Sequence, residues 1–348
     1  MSFTFYHSLG QTEVWPNITH THPASLTYDD VLLVPQSLTK VDSRKETNVS
    51  VKFGPFKLKK PIVTAPMDTI SGEKMAHLMH HLGGLTFMPR VQLDEALAVA
   101  RRLQKKKIDA VYSIGLKNAL KVATQYKKLG AKALLLDVAH GGMETIVETA
   151  AKIQDKLKIT VVAGNIVSYD QALSYQEASL KIARVGVGGG GMCITRLVAG
   201  SGFPQLSAVF ETVSSELEII ADGGIRKPAD FAKAIAAGAS VIMIGSMLAG
   251  TKETPGEVVG GVKKARGQAS EDYMKDRGTT VGEFRSAEGI TKMVQYKGSA
   301  EIIINDLVGG LRSAMSYAGA ETISEFQQKA QFTLASRAAQ GEGIAHIT

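Results

Sequence analysis

Cys193 is the chain's one cysteine, and it closes the stretch Arg184-Val185-Gly186-Val187-Gly188-Gly189-Gly190-Gly191-Met192-Cys193-Ile194-Thr195-Arg196, which follows an apolar run. Without side chains, glycines let backbone N–H groups approach an anion or let carbonyls ring a cation, and a loop at a strand's end holds a thiol beside whatever is bound. A lone thiol has two readings, an inert small hydrophobe in a core or a nucleophile. Five glycines in the six residues from Gly186 to Gly191 would be a costly way to build a core segment, since each loses much backbone freedom on folding. The nucleophile is the stronger reading.

The loop needs a scaffold, and the surrounding pattern supplies one. Eight short apolar runs alternate with helical patterns: Pro61 to Pro66, Gly84 to Met88, Ala110 to Gly115, Ala133 to Ala139, Thr160 to Asn165, Lys181 to Gly186, Glu218 to Asp222 and Ser240 to Ser246. Between them lie segments with apolar residues at helical spacing, such as Leu93 to Lys106, Asn118 to Leu129 and Pro228 to Ala237. Near-continuous apolar strands joined by helices predict an all-parallel sheet covered on its outside, and eight of them predict a closed (β/α)8 barrel, with a doubly wound open sheet as the alternative. The expected organisation is a single barrel domain over 1–348, with an irregular N-terminal arm over 1–60, a polar flap at about 265–298 and a helical tail over 300–348.

In such a barrel the loops after the strands build the active site. They carry Asp68, Arg90, Asp137, Asn165, Cys193 with Thr195, Asp222-Gly223-Gly224, and Gly245-Ser246. The loops after strands seven and eight often bind phosphate through backbone amides, which points to Gly223, Gly224, Gly245 and Ser246. Asp222 is suited to accepting hydrogen bonds from ribose hydroxyls; its other reading is a cap for the helix near Pro228.

Composition narrows the remaining classes. The chain is 44% hydrophobic and 21% charged, with formal charge +7. Its lysines are scattered or in short runs without interleaved aromatics, the pattern of a solvated basic face rather than a nucleic-acid surface. No stretch approaches a membrane span or a secretory leader, so the expectation is a cytoplasmic protein with neither a membrane nor a nucleic-acid partner.

Several segments together resemble the IMP dehydrogenase/GMP reductase family: Tyr28-Asp29-Asp30-Val31-Leu32-Leu33-Val34-Pro35, Ala65-Pro66-Met67-Asp68-Thr69, Ala163-Gly164-Asn165, the cysteine loop, Gly202 to Val209, Ala221-Asp222-Gly223-Gly224-Ile225 and Tyr296-Lys297-Gly298. Their order and spacing extend the resemblance over nearly the whole chain. It implies a TIM barrel that binds a purine nucleoside monophosphate, with attack by Cys193 on purine C2 and hydride exchange with a nicotinamide. It implies substrate contacts from Asp222, Gly223, Gly224, Gly245, Ser246, Arg266, Gly267, Gln268, Arg285 and Ser286, and cofactor contacts from Asp68, Arg90, Asp137 and Asn165. It further implies a homotetramer, and a potassium ion on the carbonyls of Gly188, Gly190 and Cys193.

Dehydrogenases of the family carry an Arg-Tyr pair in the flap that activates water; here Arg277 is followed by Gly278. The segment Glu283 to Gly289 and Asp137-Val138-Ala139-His140-Gly141 resemble the reductase pattern instead, and the regulatory CBS insertion is lacking. The resemblance therefore implies NADPH-dependent reduction of GMP to IMP with loss of ammonia, Thr195 and Glu288 forming the proton relay. The alternatives are an insertion-free IMP dehydrogenase and a non-catalytic purine nucleotide-binding barrel. Two departures stand out. Gly188 to Gly191 replaces the family's usual Gly-Pro-Gly-Ser, and Arg266-Gly267-Gln268 stands where Tyr-Gly-Met is usual. Arg266 is accordingly expected to take over phosphate contacts as a bidentate partner.

Overall fold

The computed structural model describes residues 2–6, 12–16 and 25–343. Eight parallel strands close into a barrel: β1 Ile62–Thr64, β2 Leu85–Met88, β3 Ala110–Ile114, β4 Ala133–Asp137, β5 Thr160–Ile166, β6 Ile182–Val185, β7 Glu218–Asp222 and β8 Val241–Ile244. The last pairs with the first through Ile242 opposite Ile62, which completes the ring. The predicted runs therefore form the strands, and the open sheet is excluded.

Alternation of side chains along each strand builds two cores. Inside the barrel, Val63, Phe87, Val111, Leu135, Val162, Ile182, Ile220 and Met243 pack together. Their neighbours Ile62, Leu134, Leu136, Val161, Ile219 and Ile242 face outward to the helices. A hairpin, Val51–Phe53 with Phe56–Leu58, inserts Phe53, Phe56 and Leu58 into the interior cluster. The Gly54 amide donates to Glu218 Oε2 at 2.7 Å, tying that hairpin to the start of β7.

The helices follow the predicted patterns closely, as Leu93–Lys105, Ala119–Lys128 and Pro228–Ala236. Proline suits the first turn of the last, where its missing N–H has no partner to lose. That helix packs on Ala300–Tyr317, whose Gly310 lies so close to Pro228 that an added Cβ would sit 2.3 Å from the proline Cβ. No helix among the described residues is long and apolar enough to cross a membrane.

The N-terminal arm is not irregular where it is described. Ser2–Tyr6 pairs with Thr12–Pro16 and, in parallel, with Phe332–Leu334; the latter pairs antiparallel with Val31–Leu33. Short strands separated by polar turns carry too few residues to show a two-residue period, and their partner lies near the other end of the chain. The tail is helical at Ala300–Tyr317, Ile323–Lys329 and Arg337–Glu342, interrupted by that strand. Parts of the arm, 1, 7–11 and 17–24, and the end of the tail, 344–348, lie outside the described residues. The expected flap is an antiparallel ribbon, Val262–Arg266 with Thr291–Gln295, bearing the short helix Glu271–Asp276.

Candidate active site

The loops after the barrel strands surround a cavity of about 340 Å³. Its wall includes Cys193, Thr195 and Glu288, the glycine run, and the loops after β7 and β8. Cys193 is half-buried. Its Sγ lies 3.1 Å from Thr195 Oγ1, and the threonine hydroxyl donates to Glu288 Oε2 at 2.8 Å. A thiol, a hydroxyl and a carboxyl thus form one hydrogen-bonded line ending at the cavity.

Backbone pairing explains how a flap residue reaches the cysteine. Gly289 bridges Cys193 in antiparallel fashion and Ser270 in parallel. Ile194 N donates to Glu288 O at 2.8 Å, Ile290 N to Met192 O at 3.0 Å, and Glu288 N to Ala269 O at 3.0 Å. The flap segment is therefore held as a strand between the cysteine loop and residues 269–270.

A second line of charge crosses the barrel mouth. Arg90 Nε donates to Asp137 Oδ2 at 3.2 Å; Arg184 donates from Nη1 to Asp137 Oδ1 and from Nε to Asp222 Oδ2, each at 2.8 Å. Asn165 Nδ2 donates to the same Asp222 oxygen at 2.9 Å and to Gly186 O at 2.6 Å. Burial opposes the charge on Arg184, but Asp222 and Asp137 outweigh it and raise its pKa above the ordinary arginine value. Asp222 Oδ1 keeps no partner among the described residues, which leaves an acceptor on the cavity wall. Asp222 does not cap the following helix, whose N-cap is Lys227.

Sequence reasoning missed Arg184. Its signal was a charged residue inside an otherwise apolar strand, Ile182–Val185.

Unpaired backbone amides form a cradle on the cavity wall. Gly191, Gly223, Gly245 and Ser246 line the cavity, and their N–H groups donate to nothing among the described residues. Gly224 N is already committed to Gly189 O at 2.9 Å, so it contributes to the loop's shape rather than to the cradle. Gly191 has a steric role: an added Cβ would stand 2.8 Å from Ser246 Oγ and 2.9 Å from its Cβ. The carbonyl expected of Gly190 toward a cation accepts from Cys193 N at 3.0 Å.

Several expected site residues lie elsewhere. Arg266 does not line the cavity; it donates from Nε to Asp68 Oδ2 at 3.1 Å and from Nη1 to Asp276 Oδ2 at 2.6 Å, and sits over the Tyr273 ring at 5.4 Å. Those carboxylates hold its pKa above the ordinary value, the Asp68 hydrogen bond contributing most. Asp68 is consumed by the same pair and is likewise absent from the wall. Arg285 and Ser286 are exposed and also off the wall. Gly267, Gln268, Arg90, Asp137 and Asn165 do line it, with Gln268 Nε2 donating to Pro66 O.

The profile of the IMP dehydrogenase / GMP reductase domain matches residues 25–346. An inosine-5'-monophosphate dehydrogenase of Helicobacter pylori is 35% identical over 350 residues, spanning 91% of this chain and 72% of that protein. A GMP reductase of Ligilactobacillus salivarius is 34% identical over 306 residues, spanning 85% of this chain and 92% of that one. Among solved structures, a GMP reductase from Trypanosoma brucei in complex with guanosine 5'-monophosphate superimposes with a TM-score of 0.87 at 26% identity, covering 94% of this chain and 99% of that one.

Proposed function

Since the chain belongs to the IMP dehydrogenase / GMP reductase family, whose members are oxidoreductases of purine nucleotides, we propose that it reduces GMP to IMP with NADPH and releases ammonia. The observation that carries this reading is the closed line Cys193, Thr195, Glu288, together with a flap in which Arg277 is followed by Gly278 and no Arg-Tyr pair stands ready to activate water.

The steps follow from the residues. Cys193 as thiolate adds to C2 of GMP, forming a carbon–sulfur bond, and the C2–N bond to the exocyclic amine breaks. The amine needs a proton to leave; Glu288 in its carboxylic acid form supplies it through the Thr195 hydroxyl, which turns its own proton from Glu288 to the amine as it accepts the acid's. A bound nicotinamide would supply a hydride for C2, and Cys193 would then depart as thiolate as the carbon–sulfur bond breaks, releasing IMP. Val138 and Ala139 give the wall an apolar strip beside Arg90 and Asp137, a lining that suits a flat ring with a polar ribose. Asp222 Oδ1 offers an acceptor to the substrate ribose. Docking of the flap beside Cys193 excludes water that would otherwise hydrolyse the thioester-like intermediate.

The test is absorbance at the NADPH band. Consumption with GMP, accompanied by ammonia and abolished in Cys193→Ala, is the expected result. Steady NADH production from IMP and NAD, with GMP and NADPH silent, would replace this reading by an IMP dehydrogenase.

A further inference from the structure

We propose that Arg226 is a phosphate-binding residue of the cavity, set in place by Asp29 and Asp230; this rests on the reading of the cavity as a nucleotide site. Arg226 lines the cavity immediately after Gly223, Gly224 and Ile225, and so borders the unpaired amides of Gly191, Gly223, Gly245 and Ser246. Its Nη2 donates to Asp29 Oδ2 at 2.7 Å and its Nε to Asp230 Oδ2 at 3.3 Å, while Nη1 has no partner among the described residues. The backbone N of Arg226 is also bound to Asp230 Oδ2, at 2.9 Å. Two fixed edges and one free edge describe a guanidinium that is oriented yet still able to donate.

The charge balance around it favours an anion. Lys227 shares Asp29 at 3.0 Å, and Lys233 lies within the same field of charges. Arg226, Lys227 and Lys233 thus face the carboxylates Asp29 and Asp230, an excess of one positive charge that attracts an anion. No comparable cation is turned to the cradle from the flap, because Arg266 is held by Asp68 and Asp276. The amides alone distinguish an anion from a neutral group; the arginine adds discrimination for a full phosphate charge. The arrangement also gives the Tyr28-Asp29-Asp30 motif a role at the site, through Asp29.

The experiment is calorimetric titration of the full chain with IMP and GMP and with inosine and guanosine, at one ionic strength. Arg226→Gln should weaken both nucleotides by about tenfold, the lower range for a charge-assisted hydrogen bond, and leave the nucleosides nearly unchanged. Arg226→Lys should recover part of the loss. Nucleoside binding reports that the fold and base pocket persist. Equal loss of nucleotide and nucleoside, loss of neither, or a wild type that binds the two alike would overturn the assignment. Binding is read without turnover, so a chain silent with GMP and NADPH but selective for the phosphate through Arg226 would sink the proposed reaction and leave this assignment standing.

Discussion

Glu288 Oε2 accepts at 2.8 Å from the hydroxyl of Thr195, a residue 93 positions earlier in the chain. The threonine comes from the barrel loop and the glutamate from the flap, so this hydrogen bond exists only while the two are docked. A hydroxyl between thiol and carboxyl can relay a proton without ionising, the role the proposed reaction gives it.

Glu288→Gln keeps size and hydrogen bonding but has no carboxyl proton. GMP deamination should fall by about 10²-fold or more, whereas hydride exchange between IMP and NADP should fall much less, because no amine departs. Measuring both half-reactions separates a proton donor from a residue that only seats the flap; equal losses would show the latter.

Reinstating a serine in the cysteine loop should harm the site rather than improve it. In Gly191→Ser the new Cβ meets Ser246 Oγ and Cβ below 3.0 Å, an overpacking worth about 1–3 kcal/mol. IMP affinity should therefore drop, and Gly191→Ser combined with Ser246→Gly should recover it. A single variant that binds IMP more tightly than wild type would show that Ser246 moves aside at no cost.

Arg266→Ala tests the flap anchor. Removing a guanidinium that joins Asp68 and Asp276 should lower kcat by about tenfold or more through misplacement of Glu288, with little change in the Kd for IMP. If the Kd rises as far as in Arg226→Gln, Arg266 reaches the phosphate after all.

Asp29 gives a pH dependence. Burial works to raise its pKa, but hydrogen bonds from Arg226 and Lys227 prevail and hold it below the ordinary aspartate value. A carboxyl with a depressed folded-state pKa contributes stability that is present above its unfolded pKa, about 4, and is lost as pH falls through the lower folded value. Denaturant unfolding between neutral pH and pH 3 should show wild type losing its advantage over Asp29→Asn in that acidic window. A constant difference across the range would separate Asp29 from the effect.

The barrel was legible because each of its strands is buried on both faces and so appears as an unbroken apolar run, as in Ala133–Asp137. Cys193, Thr195 and Glu288 were legible as residue types in matching segments, yet the contact between the last two depends on backbone pairing across the flap, which has no local signature. Arg266 misled for a related reason. An arginine in a flap advertises affinity for anions, but whether that anion is a ligand or the chain's own Asp68 and Asp276 is decided by the fold. Arg184 and Arg226 show the converse, since their partners Asp137, Asp222 and Asp29 lie 47, 38 and 197 residues away.

The short backbone ladder that carries Glu288 fixes the acid by register. Ile290 is pinned to both Met192 O and Gly267 N, and Glu288 to Ala269 O, whereas in 277–287 the pairing is local, between Gly282 and Arg285. Lengthening or shortening 277–287 would leave the acid where it is, while inserting one residue between Glu288 and Thr291 would turn a neighbour toward Thr195 in its place. The span between the helix Glu271–Asp276 and Glu288 thus does not set the position of the carboxyl, whereas the three residues after the glutamate do.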